Sequence, residues 1–316
     1  MVRLLLFGDL HLSTTGPPVP LAFPNLNSLQ VDGIVTIGDV IDDNVDHADD
    51  TSSGAAYENR GSAFFSRLND VGVPVVAVPG NHDPVECTRR ITDGLDNVIV
   101  AHRRVIDGAT LQATELDGVY IVGWGCEKFD LTPAFRYDQY QGIVPEKPGA
   151  EDHTLTARES AAAVEAVISR FLAGDLDGMT AATELGVAPS QRKASAKDLE
   201  ALAHEFEAIR SLLAEAAGTT LLLSHESPFN VAFDYHHSAD CQHQRLHRGS
   251  IPLKMAIAAT GPDVVFSGHT HSVGHDVIET VDGYSDLYNP GSPGVAVAEI
   301  DTDAGSLQVL NDSRAV

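Results

Sequence analysis

The sequence predicts an α/β fold, and three observations carry that reading. Short, predominantly apolar runs such as 2–7, 33–37, 73–78 and 219–223 have the length and composition of strands buried on both faces. Stretches with helical apolar spacing, among them 57–71 and 196–217, lie between such runs. Five of the apolar runs end in aspartate, asparagine or histidine, at the strand termini where open α/β sheets place their ligands.

In order, Val2–Phe7 is a buried strand ending at Gly8-Asp9-Leu10-His11. Four prolines make residues 14–26 a loop. Gly33–Ile37 is the next strand and runs into Gly38-Asp39. The acid-rich stretch 43–50 reads as a solvated loop, and Phe64, Leu68 and Val71 mark a helix over 57–71. Val73–Val78 ends in Pro79-Gly80-Asn81-His82-Asp83. Short strands are expected at 98–101, 110–116 and 119–122. Residues 126–154 mix Pro, Gly and aromatics without period and read as loop. Helices follow at 160–172 and 196–217, the latter with Leu199, Leu202, Phe206, Ile209, Leu212 and Leu213 on one face, and the Ala-rich stretch between has room for a short third. The block 126–217 is read as an insertion in a single domain, 1–316, because strands resume directly after it.

Thr219–Leu223 ends at Ser224-His225, and Val264–Phe266 ends at Gly268-His269-Thr270-His271. Residues 273–281 and 284–288 form a hairpin over Asp282-Gly283. Asn289–Gly294 is a rigid turn, and strands 295–300 and 306–310 close the sheet. Between 233 and 250 lie His236, His237, His243, His247 and Arg248, whose spacing matches no closed zinc pattern. A substrate-facing loop is expected there. Arg248 and Ser250, just before a helix over 251–259, are candidate anion contacts, with pairing of Arg248 to a surface acid as the alternative.

The formal net charge of −25, with lysine only at 128, 147, 193, 197 and 254, argues against broad binding to nucleic acid or anionic membranes. Acid excess with scarce lysine reads as salt adaptation, an ordinary acidic protein being the alternative. Cys87, Cys126 and Cys241 are odd in number and lack CxxC spacing, so they read as reduced thiols. No apolar run is long enough to span a bilayer. A cytoplasmic protein is expected, free of membrane, with nucleic acid at most a substrate and room for a homo-oligomer.

The strand ends gather Asp9, His11, Asp39, Asn81, His82, His225, His269 and His271. In an extended segment residues i and i+2 face one side, so His269 and His271 can aim at one point or at two points a few ångströms apart. Carboxylate, imidazole and amide donors suit two divalent metals that share a carboxylate, with manganese expected and iron, zinc or nickel as alternatives. Two such ions clamp a phosphoryl group and activate a bridging water. His82, not needed as a ligand, is placed to protonate the leaving oxygen, with Asp83 beside it to orient it.

The segments GDLH (8–11), GDVID (38–42), GNHD (80–83), SH (224–225) and GHTH (268–271) resemble the five ordered motifs of the calcineurin-like metallophosphoesterase superfamily. The NPGS turn at 289–292 resembles that of its small archaeal and bacterial phosphodiesterases. The resemblance implies a four-layer α/β/β/α sandwich of two mixed sheets flanked by helices. It implies that Asp9, His11, Asp39 and His271 hold one metal and Asp39, Asn81, His225 and His269 the other. His82 is then the general acid and Asp83 its orienting partner, acting on a small phosphorylated substrate. A non-catalytic scaffold of the same fold would have lost some of these residues. A DNA repair nuclease of the superfamily would need a DNA-capping domain and a kinder charge.

The acid excess yields a direct test. Raising KCl from ~0.1 M to ~1 M shortens the Debye length from ~10 Å to ~3 Å and screens the crowded carboxylates. The melting temperature is therefore expected to rise across that range in a thermal-shift series; no rise would refute salt adaptation.

Overall fold

The computed structural model describes residues 1–13, 30–42, 51–83, 85–111, 113–125, 153–234 and 249–312. The elements run β1 (Val2–Gly8), β2 (Gly33–Ile37), α1 (Thr51–Asn69), β3 (Val75–Val78), α2 (Val85–Thr92), β4 (Val98–Val100), β5 (Arg104–Asp107) and β6 (Val119–Trp124). After them come α3 (His153–Leu172), α4 (Gly178–Glu184), α5 (Arg192–Leu213), β7 (Thr219–Ser224), α6 (Ile251–Thr260), β8 (Val264–Ser267), β9 (Gly274–Thr280), β10 (Gly283–Asn289), β11 (Gly294–Asp301) and β12 (Ser306–Asp312).

Two six-stranded sheets result, with strand orders β12-β11-β1-β2-β3-β4 and β5-β6-β7-β8-β10-β9. Both are mixed. The β1–β4 block is parallel, β11 runs antiparallel to β1 and β12 antiparallel to β11, while β6, β7, β8 and β10 are parallel and β5 and β9 antiparallel edges.

The alternation of each apolar strand explains the layering. Leu4 and Leu6 of β1 point into the space between the sheets, where they meet Val35, Ile37, Val76, Val78, Ile121, Leu221, Leu223, Val264 and Phe266. Leu5 and Phe7 point the other way, onto Tyr57, Phe64 and Leu68 of α1 and Ile91 of α2. On the second sheet, Val122, Leu222 and Val265 face outward onto Ile209 and Leu213 of α5 and Leu253 and Ile257 of α6. The order is therefore helices, sheet, sheet, helices, the four-layer sandwich expected. The helical block adds its own cluster, in which Val164, Ile168, Ala181, Leu185, Leu199 and Leu202 pack with Phe229 and Ile251.

One expected strand is wrong. The described residues of 110–116 form no strand; Gly108–Leu111 and Thr114–Leu116 are single 3-10 turns, and the strand lies earlier, at β5. Gly108 packs so tightly on the Leu116 and Val119 carbonyls that the chain must turn there, and the Asp107 carboxylate accepts the Ala109 amide to hold the bend. Helices α1, α3 and α5 begin earlier than their apolar stripes suggest, and α4 fills the Ala-rich stretch, capped by Asp177 on the Thr180 amide at 2.7 Å. The loop expected at 126–154 lies mostly outside the described residues, and α3 begins at its end. Among the described residues, no helix is long and apolar enough to cross a membrane.

Phe266 is fully buried between the sheets. Phe266→Ala is expected to cost ~3–5 kcal/mol in urea denaturation, because the sheets cannot collapse onto the void. Val277→Ala on the exposed edge of β9 should change stability by well under ~1 kcal/mol.

Candidate metal centre

The parallel strands of both sheets deliver their carboxyl ends to one edge. There β1, β2 and β3 supply Asp9, His11, Asp39, Asn81 and His82, while β7 and β8 supply His225, His269 and His271. The strand exits are tied to one another by backbone bonds: Asp9 N to Gly38 O (3.2 Å), His11 N to Asp39 O (3.0 Å) and Gly268 N to His225 O (3.0 Å).

At the centre is one carboxylate oxygen. Asp39 Oδ2 lies 3.7 Å from His11 Nε2, 3.4 Å from His225 Nε2 and 4.0 Å from His82 Nε2. Its other oxygen accepts the His82 amide at 2.8 Å. On one side stand Asp9, His11 and His271, with the two imidazole Nε2 atoms 3.0 Å apart and His271 Nε2 3.8 Å from Asp9 Oδ1. On the other side, Asn81 Oδ1 receives His225 Nε2 at 2.8 Å and His269 Nδ1 at 3.0 Å. All seven expected donors therefore meet, in two groups joined by Asp39.

The local conformation is not the extended one expected. Asp9, His11, Asp39, His269 and His271 all have positive φ, between 44° and 68°. Such left-handed backbone is uncommon outside glycine and is held only where the surroundings over-determine it. His269 and His271 thus reach two separate groups from successive left-handed turns, not one point from a strand.

The electrostatics fit a cation. Asp9 and Asp39 are buried, and their only ionic partners among the described residues are histidines, never lysine or arginine. Burial, helped by repulsion from Asp39, pushes the Asp9 carboxyl up to about 8 against the pull of His225 and the His269 amide. Burial would raise Asp39 too, but attraction and hydrogen bonding from His225, then from His82, outweigh it and hold that carboxyl well below its ordinary range. His225 is lifted to about 10: burial disfavours its charged form, yet Asp39, Asp9 and the Ile37 carbonyl, 2.9 Å from Nδ1, favour it more. Burial, as the largest cause, lowers His11 below its usual value, the direction that favours the neutral imidazole a metal donor needs. Both upward shifts are in the direction that offsets the buried negative charge, and the carboxylate, imidazole and amide set is one that divalent ions accept.

One assignment needs correcting. Asp83 is buried but does not hydrogen-bond to His82. Its carboxylate accepts the Val40 amide (2.9 Å), the Ile41 amide (3.4 Å) and the Tyr57 hydroxyl (2.8 Å), bracing the segment after Asp39. Burial first, then Asp39, raises it to about 6. Ser250 is buried as well, and its hydroxyl accepts the Leu253 amide at 3.3 Å as the N-cap of α6. The lone pair that caps α6 leaves the Ser250 hydroxyl hydrogen as a donor. Arg248 and the four loop histidines lie outside the described residues.

Residues 2–151 match the family model Metallophos, calcineurin-like phosphoesterase. Over that stretch the chain is similar to the calcineurin-like phosphoesterase family. One solved crystal structure is 13% identical, with 98% of this chain and 99% of that one covered at a TM-score of 0.53, so it shares the fold. Two others have scores too low to carry an argument. The protein TT1561 of Thermus thermophilus is 15% identical, with 98% of each chain covered and a TM-score of 0.45. The sulfate thiohydrolase SoxB of Thermus thermophilus is 13% identical, with 89% of this chain and 39% of that one covered and a TM-score of 0.36. No curated protein matches the sequence. The family and the Asp/His clusters together support a metal-dependent phosphoesterase.

Sequence reasoning misses Tyr57, which it reads only as the start of a helix, and the side chains of Ser227, Thr270, Asn289 and Ser292. It also passes over why the phosphoesterase motifs carry glycine. A Cβ on Gly80 would overlap the Asp39 carboxylate and crowd His225, and one on Gly268 would sit 2.6 Å from Asp9 Oδ2. Gly80→Ala is accordingly expected to lower divalent-metal affinity at least ~10-fold by displacing Asp39. Calorimetric Mn²⁺ titration of the variant, with circular dichroism to show that it folds, checks this.

Proposed function

We propose that the protein is a two-metal phosphodiesterase. The observation that carries the reading is the position of Asp39, whose single oxygen lies within 4.0 Å of imidazoles from both donor groups and of the His82 ring. Asp9, His11, His271 and Asp39 would hold one divalent ion, and Asp39, Asn81, His225 and His269 the other, with manganese as the ion proposed. Bound there, the ions supply Lewis acidity toward a phosphoryl oxygen and lower the pKa of water.

The chain's own groups do the rest. The His225 Nδ1 proton is directed at the Ile37 carbonyl, which leaves Nε2 turned to the donor group. The amide of His82 is fixed on Asp39, so the imidazole keeps its place beside the shared carboxylate. The ring is one-third exposed, open enough to meet a substrate. His82 donates a proton from Nε2 to the departing oxygen, which an alkoxide needs and a phenolate scarcely does. Asp83 acts on this step only at one remove, by bracing Val40 and Ile41 behind Asp39.

The diester preference is supported by the Asn289–Ser292 turn, which resembles that of small phosphodiesterases. The helical block packs on Phe229 and Ile251, which supports one domain, residues 1–316, with an insertion at about 126–217.

With Mn²⁺, the protein should hydrolyse a chromogenic phosphodiester and lose that activity to EDTA. His82→Ala should retain the metal and slow an alkyl diester by ~10²–10⁴, with a smaller loss on a nitrophenyl diester. An equal loss on both substrates would remove His82 from the acid role, and no metal-dependent hydrolysis at all would refute the function.

A further inference from the structure

We propose that Asn289, with Ser292 as its outer arm, is the positioning device that sets both donor groups; this rests on the metal-dependent reading above. Asn289 ends β10, beside the exit of β8, and is fully buried. Its amide nitrogen faces three acceptors: Gly268 O at 3.1 Å, Ser227 Oγ at 3.2 Å and Thr270 Oγ1 at 3.2 Å. Its oxygen accepts the Gly291 amide at 2.8 Å and closes the turn.

Donor and acceptor roles are consistent throughout. The Ser227 hydroxyl gives its hydrogen to Gly268 O (2.9 Å) and the Thr270 hydroxyl to Phe233 O (2.7 Å), so both have lone pairs left for Asn289. A flipped amide would set its oxygen against the Gly268 carbonyl, which fixes the orientation shown.

The grip falls on the residues that matter. Gly268 and Thr270 flank His269, and Thr270 separates it from His271. Ser227 follows His225 by two residues. Ser292 donates to the Asp9 carbonyl at 2.7 Å, and the Asp9 carboxylate accepts the His269 amide at 3.0 Å through both oxygens. One side chain and its turn thus hold the loops of Asp9, His225, His269 and His271. Asp9, His269 and His271 are in left-handed backbone, a strained conformation that persists only where neighbours impose it. Closing a hairpin or filling a core would need no such network; presenting strained ligands does.

The test is a Mn²⁺ titration read from the six-line electron paramagnetic resonance of the free ion, with the melting temperature followed in parallel. Asn289→Ala should weaken both Mn²⁺ equivalents by ~10–100-fold, the usual worth of groups that orient ligands. Ser292→Ala should weaken only the equivalent that Asp9 serves. Thr270→Val should weaken binding while Thr270→Ser, which keeps the hydroxyl, should restore it; this pair decides the matter if Asn289→Ala does not fold. Variants that melt lower yet bind both ions with wild-type affinity would overturn the positioning role alone. A wild type that binds no Mn²⁺ would overturn the metal-dependent reading with it.

Discussion

Two buried carboxylates, with no lysine or arginine paired to them among the described residues, are the constraint on which the carboxyl edge of both sheets depends. Asp9 and Asp39 sit where a bare charge is expensive, and histidines are the ionic partners around them. Everything near them serves to hold that arrangement or to balance it. His225 crosses from the second sheet to the Ile37 carbonyl of the first, and the His269 amide makes the same crossing to Asp9. The centre is therefore also a seam between the sheets.

The strain follows from the same constraint. Strands that stop at a common edge present side chains roughly perpendicular to the sheet, not along the strand axis toward a point beyond it. Turning them inward takes a left-handed residue at each donor-bearing exit of β1, β2 and β8. Glycines at 80 and 268 let the neighbouring carboxylates come close, and buried polar groups behind them keep the turns from relaxing. Tyr57 and Asp83 do this for the segment after Asp39, and Asn289 for the loops of the second sheet.

Charge is arranged differently outside and inside. The chain carries a large acid excess, yet its surface cations mostly meet exposed partners, as in Arg89–Glu86, Arg170–Glu184 and Arg210–Glu207, pairs worth little in water. The carboxylates that bear on chemistry are those withdrawn from that surface, where low polarity makes each partner count.

The sequence by itself determined the strands and the donors. Val2–Phe7, Gly33–Ile37 and Thr219–Leu223 read as buried because predominantly apolar runs of that length have no other stable place, and the donors followed because each motif sits at the end of such a run. Asp39 as the shared ligand and the split of His269 from His271 came with the resemblance, since spacing alone allowed one point or two. Sequence placed a strand at 110–116, where the backbone turns on Gly108, because β-branched composition does not reveal packing against a carbonyl. It gave Asp83 to His82 on adjacency and did not see Ser250 as the cap of α6. Only the tertiary structure decided those, for a side chain's partners are set by what the fold brings across from distant segments: Val40 and Tyr57 for Asp83, Leu253 for Ser250, and Gly268 for Asn289, a residue that local pattern marks only as a turn.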